Sequence, residues 1–241
     1  MKKFSVIDIG SNSVRLLKYE NGISQKKLIT TRLGRNLAAC GLIDRESFDK
    51  TIEAVIALYE EGNAYCGKTY VFATEAVRSA SNGGVFVSEL EKHGINTDVL
   101  EGKTEALLAF LGAVKNDGSA AVIDIGGAST EIVTGISGIV KDTVSYPLGA
   151  VRLFSACGED KSRIANSVKE VVKYKPLLFE KAYAVGGTAT TIAAVAADLK
   201  IYDPSVTDGY ILQIEKIRDI ADNLLSLSIE ERKKVNGIPE S

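Results

Sequence analysis

The chain has 241 residues, 45% of them hydrophobic, and a formal net charge of −2. That is enough core for one large domain or two of ordinary size, and the charge leaves no footprint for duplex nucleic acid. A single histidine, His93, argues against a His-rich zinc site or a Ser-His-Asp triad, and Cys40, Cys66 and Cys157 show neither a paired framework nor metal spacing.

In chain order, Phe4–Ile9 and Val14–Tyr19 read as strands flanking a glycine turn, and Asn21-Gly22 is a hairpin signal into a third strand at Lys27–Leu33. Lys26, Lys27, Arg32 and Arg35 form the one early basic cluster, read as a solvated face. Asp44 is placed to cap a helix whose Phe48, Ile52, Val55, Ile56 and Tyr59 follow helical spacing. A buried strand at Thr69–Ala73, a helical turn at Ala76–Ser81, a helix at Val85–Lys92, a strand at Ile95–Leu100 and a helix at Lys103–Val114 complete the first half. The second half repeats the order: strands at Ala121–Ile125, Thr130–Thr134 and Ile139–Ser145, with Gly135–Gly138 as a turn. A helix covering Val168–Val172, a strand at Ala182–Val185 and a helix at Thr188–Ala197 opened by Gly186-Gly187 follow. Ile214–Leu227 is amphipathic, Ser228 caps a further helix start, and Asn236-Gly237-Ile238-Pro239 breaks any helix. No signal peptide and no apolar run of membrane-spanning length is found, so a cytoplasmic protein with no membrane partner is expected.

One repeat organises the chain. Val6-Ile7-Asp8-Ile9-Gly10-Ser11-Asn12-Ser13 returns as Val122-Ile123-Asp124-Ile125-Gly126-Gly127-Ala128-Ser129. An Asp ending a buried strand needs a partner, because a desolvated carboxylate is expensive. A glycine turn beside it offers backbone N–H groups to phosphate oxygens. Two copies predict an α/β protein of two similar halves, 1–117 and 118–241, facing each other across a phosphate and metal cleft. Gly186-Gly187-Thr188 at a helix N-terminus is a third anion site. Asp8 and Asp124 suit a hard cation such as Mg²⁺, with Glu131 able to join the shell.

These motifs resemble the exopolyphosphatase / guanosine pentaphosphate phosphatase family within the actin-like, sugar-kinase and Hsp70-type superfold. The likeness is carried by Asp8–Ser13, Ala73-Thr74-Glu75-Ala76-Val77-Arg78 and Glu101-Gly102-Lys103-Thr104-Glu105-Ala106. It continues in Asp124–Glu131, Pro147-Leu148-Gly149-Ala150-Val151-Arg152-Leu153 and Gly186-Gly187-Thr188. The resemblance implies two actin-like (ribonuclease H-like) domains of mixed sheet around an interdomain cleft. It implies a Mg²⁺-dependent phosphohydrolase acting on inorganic polyphosphate or guanosine pentaphosphate. Glu105 falls on the family's water-activating glutamate, with Glu101 its nearest rival, and Asp124 and Glu131 complete the catalytic group. Phosphate binding is expected at Gly10, Ser11, Asn12, Ser13, Arg78, Gly126, Gly127, Ala128, Ser129, Gly186, Gly187 and Thr188. Metal binding is expected at Asp8, Asp124 and Glu131.

Each assignment has a plainer counterpart. Arg78 can pair with Glu75 on a surface turn, Glu131 can be a strand-face charge, and Arg152 suits packing or a hinge. Ala128 stands where the family has a third glycine, which is tolerable only at negative φ, and Thr104 replaces an acidic residue. Family members also continue beyond Pro239 with a segment that packs back on the first domain. Its absence from this sequence would uncover a surface and invite a homodimer. A small-molecule kinase of the same superfold and a non-catalytic phosphate or alarmone sensor are the rival functions.

Overall fold

The computed structural model describes residues 3–114, 118–172 and 179–239, and divides into two compact units, Met1–Tyr183 and Ala184–Ser241. The expected boundary residues Asn116 and Asp117 lie outside the described residues.

In the first unit, β1 (Lys3–Ile9), β2 (Ser13–Glu20) and β3 (Ile23–Thr30) form an antiparallel meander. Asn21 and Gly22 both take positive φ, 50° and 93°, the requirement of a tight two-residue hairpin. Pairing therefore resumes at once, Glu20 against Ile23, and β3 starts well before the expected Lys27. Its early residues are exposed on both faces and show no apolar alternation, while Lys26 and Lys27 blunt the sheet edge. A short helix α1 (Leu37–Cys40) then leads to α2 (Arg45–Cys66), whose cap Asp44 accepts a hydrogen bond from the Ser47 N–H at 3.0 Å.

β4 (Thr69–Ala73) returns parallel to β1, followed by α3 (Glu75–Ser79), α4 (Gly83–Lys92) and β5 (Thr97–Val99). The sheet order is β3-β2-β1-β4-β5. Ile7 and Ile9 of β1 lie in one core with Phe48, Ile52, Val55 and Leu58 of α2 and Phe86 and Leu90 of α4. Phe48 and Phe86 meet edge to face, 5.2 Å between centroids.

α5 (Gly102–Ala113) packs on a second sheet, of β6 (Ser119–Ile125), β7 (Thr130–Ile136) and β8 (Ile139–Tyr146). Phe110, fully buried, fills the space opposite Gly135, where a Cβ would fall 2.4 Å from the phenyl ring. β7 therefore runs through Gly135, and the turn is shorter than expected, at Ser137-Gly138. α6 (Ala150–Cys157) and α7 (Lys161–Val171) follow, with β9 (Lys181–Val185) as fourth strand in the order β8-β7-β6-β9. The first four strands of the other sheet have the same arrangement, β3-β2-β1-β4.

The second unit holds α8 (Gly186–Ala196), α9 (Pro204–Thr207), α10 (Ile214–Ser226) and α11 (Ile229–Arg232). Ser228 and Glu231 form the capping box the sequence signals. Gly237, at φ 88°, closes on the end of α8, where a Cβ would fall 2.3 Å from the Val195 nitrogen. No helix among the described residues is long and apolar enough to cross a membrane.

Candidate active site

The two glycine turns fold alike. Gly10 N–H donates to the Ser13 carbonyl and Gly126 N–H to the Ser129 carbonyl, both at 3.0 Å. Ser11 and Ser13 are buried and Asn12 is exposed. A Cβ at Gly127 would fall 2.9 Å from Ser11 Cβ, so the turns of the two sheets abut and glycine is required there. Ala128 is buried and has no positive φ, so its methyl group is accommodated.

Each turn is held from outside by the segment that follows the third strand. Thr31 and Arg32 N–H donate to the Asn12 carbonyl, and Gly34 N–H to that of Ser11 at 2.8 Å. In the second copy Ala150 N–H donates to the Gly126 carbonyl, and Val151 and Arg152 N–H to that of Gly127. The last three are otherwise unpaired donors at the start of α6. That helix has no side-chain cap at Gly149, hence no local signal in the sequence. A Cβ at Gly149 would stand 2.5 Å from both the carbonyl carbon and oxygen of Gly127. Leu33-Gly34 and Leu148-Gly149 are thus a second, unanticipated echo between the halves.

Around the turns stand four carboxylates. Asp8 lies opposite Arg15 in the β1–β2 register, and Asp124 lies opposite Glu131 in β6–β7. Glu131 is 2% exposed and accepts hydrogen bonds from the hydroxyls of Ser129 and Ser145, the latter at 2.9 Å. Burial pushes Glu131 above the usual carboxylate range; the two hydroxyls oppose this, while Asp124 adds to it. It is no strand-face charge. Asp124 is also raised by desolvation, with Arg15 opposing and Asp8 assisting. Asp8 keeps 41% of its side-chain surface open, yet it too is raised by the desolvating walls around it, against the pull of Arg15.

Glu105, in the first turn of α5, is pushed up to about 8. Desolvation is the chief cause, then the charges of Glu131, Asp8 and Asp124, with Arg78 opposing. The rival Glu101 stays outside the helix, extended and exposed. Arg78 donates to the Leu100 carbonyl, to Glu75 Oε2 at 2.6 Å and to Glu105 Oε2 at 3.5 Å. Its pairing with Glu75 is therefore real, but it lies within the site rather than on an outer turn. Glu75 Oε1 accepts a further hydrogen bond from Arg152 at 2.9 Å, and Arg152 Nε donates to the Ala128 carbonyl.

Within the first unit the structure brings together Asp8, Arg78, Glu105, Asp124, Glu131 and both turns. Gly186, Gly187 and Thr188 form the first turn of α8 in the second unit, Gly186 at φ 85°. Sequence reasoning missed Arg15, Ser145 and Gly149 as site residues, and treated Glu75 only as a surface partner of Arg78. For Arg15 a signal existed: it occupies in the first copy the place of Glu131 in the second.

The donor set fits a hard divalent cation. Asp124 and Glu131 are like charges directly opposed across a strand pair, an arrangement that destabilises a sheet unless a cation offsets it. No group of three metal-ligating side chains gathers within mutual ligating distance among the described residues.

Two sheets that share the order of their first four strands, each presenting an acid and a glycine turn to a common site, have the architecture of the actin-like superfold. The model of the Ppx/GppA phosphatase family matches residues 21–241, and the chain belongs to that family. Its enzyme class is that of exopolyphosphatase-type hydrolases of phosphoanhydride bonds. The chain is 26% identical to exopolyphosphatase 2 of Mycobacterium tuberculosis, over 96% of its own length and 82% of that protein's. It is 29% identical to the bifunctional 3-dehydroquinate synthase/phosphatase of Fusobacterium nucleatum, again over 96% of its length but spanning only 40% of that longer protein. The Ppx/GppA family member of Aquifex aeolicus superposes with a TM-score of 0.78 at 27% identity, covering 98% of this chain and 83% of that one.

Proposed function

We propose that this chain is a Mg²⁺-dependent phosphohydrolase that removes the terminal phosphate of inorganic polyphosphate or guanosine pentaphosphate by attack of water. The observation that carries this reading is Glu105: a largely buried carboxylate on the first turn of α5, hydrogen-bonded by Arg78 and raised to about 8 by burial and by the charges of Glu131, Asp8 and Asp124. A general base works best with a pKa near the operating pH, and few glutamates reach that range.

In this mechanism Glu105 takes the proton from the attacking water, and Arg78, hydrogen-bonded to it, orients the carboxylate and faces the phosphoryl group. The exposed Asn12 and the turn N–H groups bind phosphate oxygens, and Gly186-Gly187-Thr188, at the start of α8 in the second unit, is proposed by itself as an anion-binding turn. Asp8, Asp124 and Glu131 are the residues to hold Mg²⁺, which when bound supplies charge neutralisation at the phosphoryl oxygens. Ser129 and Ser145 fix the Glu131 carboxylate. Three free cysteines accord with work in a reducing compartment such as the cytoplasm.

The test is free phosphate released from polyphosphate, guanosine pentaphosphate and ATP with Mg²⁺, by the parent chain and Glu105→Gln. Release is expected from one or both of the first two, with no acceptor required, and the substitution should slow it by ~10²–10⁴. Undiminished hydrolysis by Glu105→Gln would overturn the assignment of the base. Binding without turnover in the parent would favour a sensor.

A further inference from the structure

Three adjacent strands set three side chains in one transverse row. In the second sheet Asp124 of β6 lies opposite Glu131 of β7, and Glu131 lies opposite Ser145 of β8. The same row in the first sheet reads Asp8, Arg15, Leu28. Its third member is an exposed leucine, whose side chain can make no hydrogen bond. A hydroxyl therefore ends the row only in the sheet whose second member is a carboxylate. It donates to Glu131 Oε1 at 2.9 Å.

Ser145 is unlike the acid it holds. Glu131 is buried, whereas Ser145 is exposed on the edge strand β8 and belongs to no core. Gly102, the first residue of α5, lies against it. A Cβ at position 102 would come within 3.3 Å of the Ser145 hydroxyl and 3.6 Å of Arg78 Nη2. The glycine thus leaves the hydroxyl its room between the acid pair and the helix that carries Glu105. A glutamate side chain loses more rotamer freedom on ordering than most, so one that ligates an ion gains from being held beforehand. Outer partners of this kind orient a ligand, and their loss typically weakens metal binding.

We propose that Ser145 is a positioning residue for the cation: by holding Glu131 Oε1 it orients the carboxylate of the Asp124–Glu131 pair and sets the affinity of that pair for a divalent cation. This inference rests on the phosphohydrolase reading above in its assignment of these two acids to Mg²⁺. A serine that only satisfied a buried acceptor would alter stability and leave cation affinity alone.

The test is a titration with Mn²⁺ alone, followed by electron paramagnetic resonance, on the parent chain, Ser145→Ala, Ser145→Thr and Glu131→Gln. Melting temperatures in chelator are taken alongside. Ser145→Ala should weaken Mn²⁺ binding by about 10- to 100-fold. Ser145→Thr keeps the hydroxyl and should bind as the parent does. In turnover, the Mg²⁺ concentration giving half-maximal phosphate release should rise for Ser145→Ala, with kcat at saturating Mg²⁺ near the parent's. Equal Mn²⁺ affinity in Ser145→Ala and the parent, with or without a lower melting temperature, would refute the inference. An equal loss in Ser145→Ala and Ser145→Thr would trace the effect to packing and also overturn it. If Glu131→Gln binds Mn²⁺ as tightly as the parent, the assignment of that acid to the cation falls and this inference with it. Cation affinity that follows Ser145 in a protein releasing no phosphate would sustain the inference while the phosphohydrolase reading falls.

Discussion

A glutamate that keeps its proton to about pH 8 is a poor base at neutrality until something neutralises its neighbours. The residue scale therefore yields a pH signature. On the proposed mechanism activity should rise with pH as Glu105 loses its proton, and the midpoint of kcat/KM should move downward as Mg²⁺ is raised, because a cation on Asp8, Asp124 and Glu131 lessens their pressure on Glu105. Stability without metal should run the other way. The folded-state value lies above the ordinary 4.5, so the folded chain holds the extra proton between 4.5 and about 8. That contribution is full below 4.5 and is lost as pH climbs through about 8. Thermal melts in chelator should show the melting temperature falling across that window. Glu105→Gln should flatten the slope, and an equally steep slope in that variant would assign it to other groups.

At the scale of elements, the glycine turns are held in place by the segments that cover them, and Gly149 is where that cover is tightest. A methyl group there meets the Gly127 peptide at 2.5 Å, and backbone cannot swing aside as a side chain can. Gly149→Ala is expected to cost about 1–3 kcal/mol in denaturant unfolding, and to impair phosphate release more than stability alone explains. Ala128→Gly, one residue from the same contact, should leave release nearly intact, since Ala128 already has negative φ.

These elements also show what a sequence discloses. Asp8, Asp124 and their turns were legible because the motif is written twice, and Glu105 because its helix start resembles a family pattern. Asp44 and Ser228 announce their helices by local capping. α6 announces nothing, since its first N–H groups are satisfied by Gly126 and Gly127, residues far from a local cap. Ser145 and Arg15 acquire their roles only from strand register, and Glu75 only when Arg152 arrives from the other sheet's helix. β3 begins before its sequence signal because an edge strand wet on both faces carries no alternation.

Within the first unit as a whole, the two sheets are tied by polar contacts at the site's margin. Arg152 bonds Glu75 and the Ala128 carbonyl together, and the Ser155 hydroxyl donates to the Arg35 carbonyl. Both charged partners are less than a quarter exposed. A double-mutant cycle of Glu75→Gln and Arg152→Gln, read by urea unfolding, should give a coupling of about 0.5–3 kcal/mol. Additive losses would mean that the pair only accompanies the packing of the two sheets. Because Glu75 also holds Arg78, Glu75→Gln should loosen that arginine and raise KM for polyphosphate, whereas Arg152→Gln should act chiefly on unfolding.

The reversal of sign between positions 15 and 131 carries a consequence for the history and direction of the site. A strictly twofold pair of halves would be electrically symmetric and could not tell one end of a linear polyanion from the other. Changing the charge at one strand position in one half breaks that equivalence while leaving the backbone of both turns alike. Under the proposed function an incoming chain meets a charge-compensated Asp8–Arg15 side and an acidic, cation-demanding Asp124–Glu131 side, so its terminus has one preferred orientation rather than two.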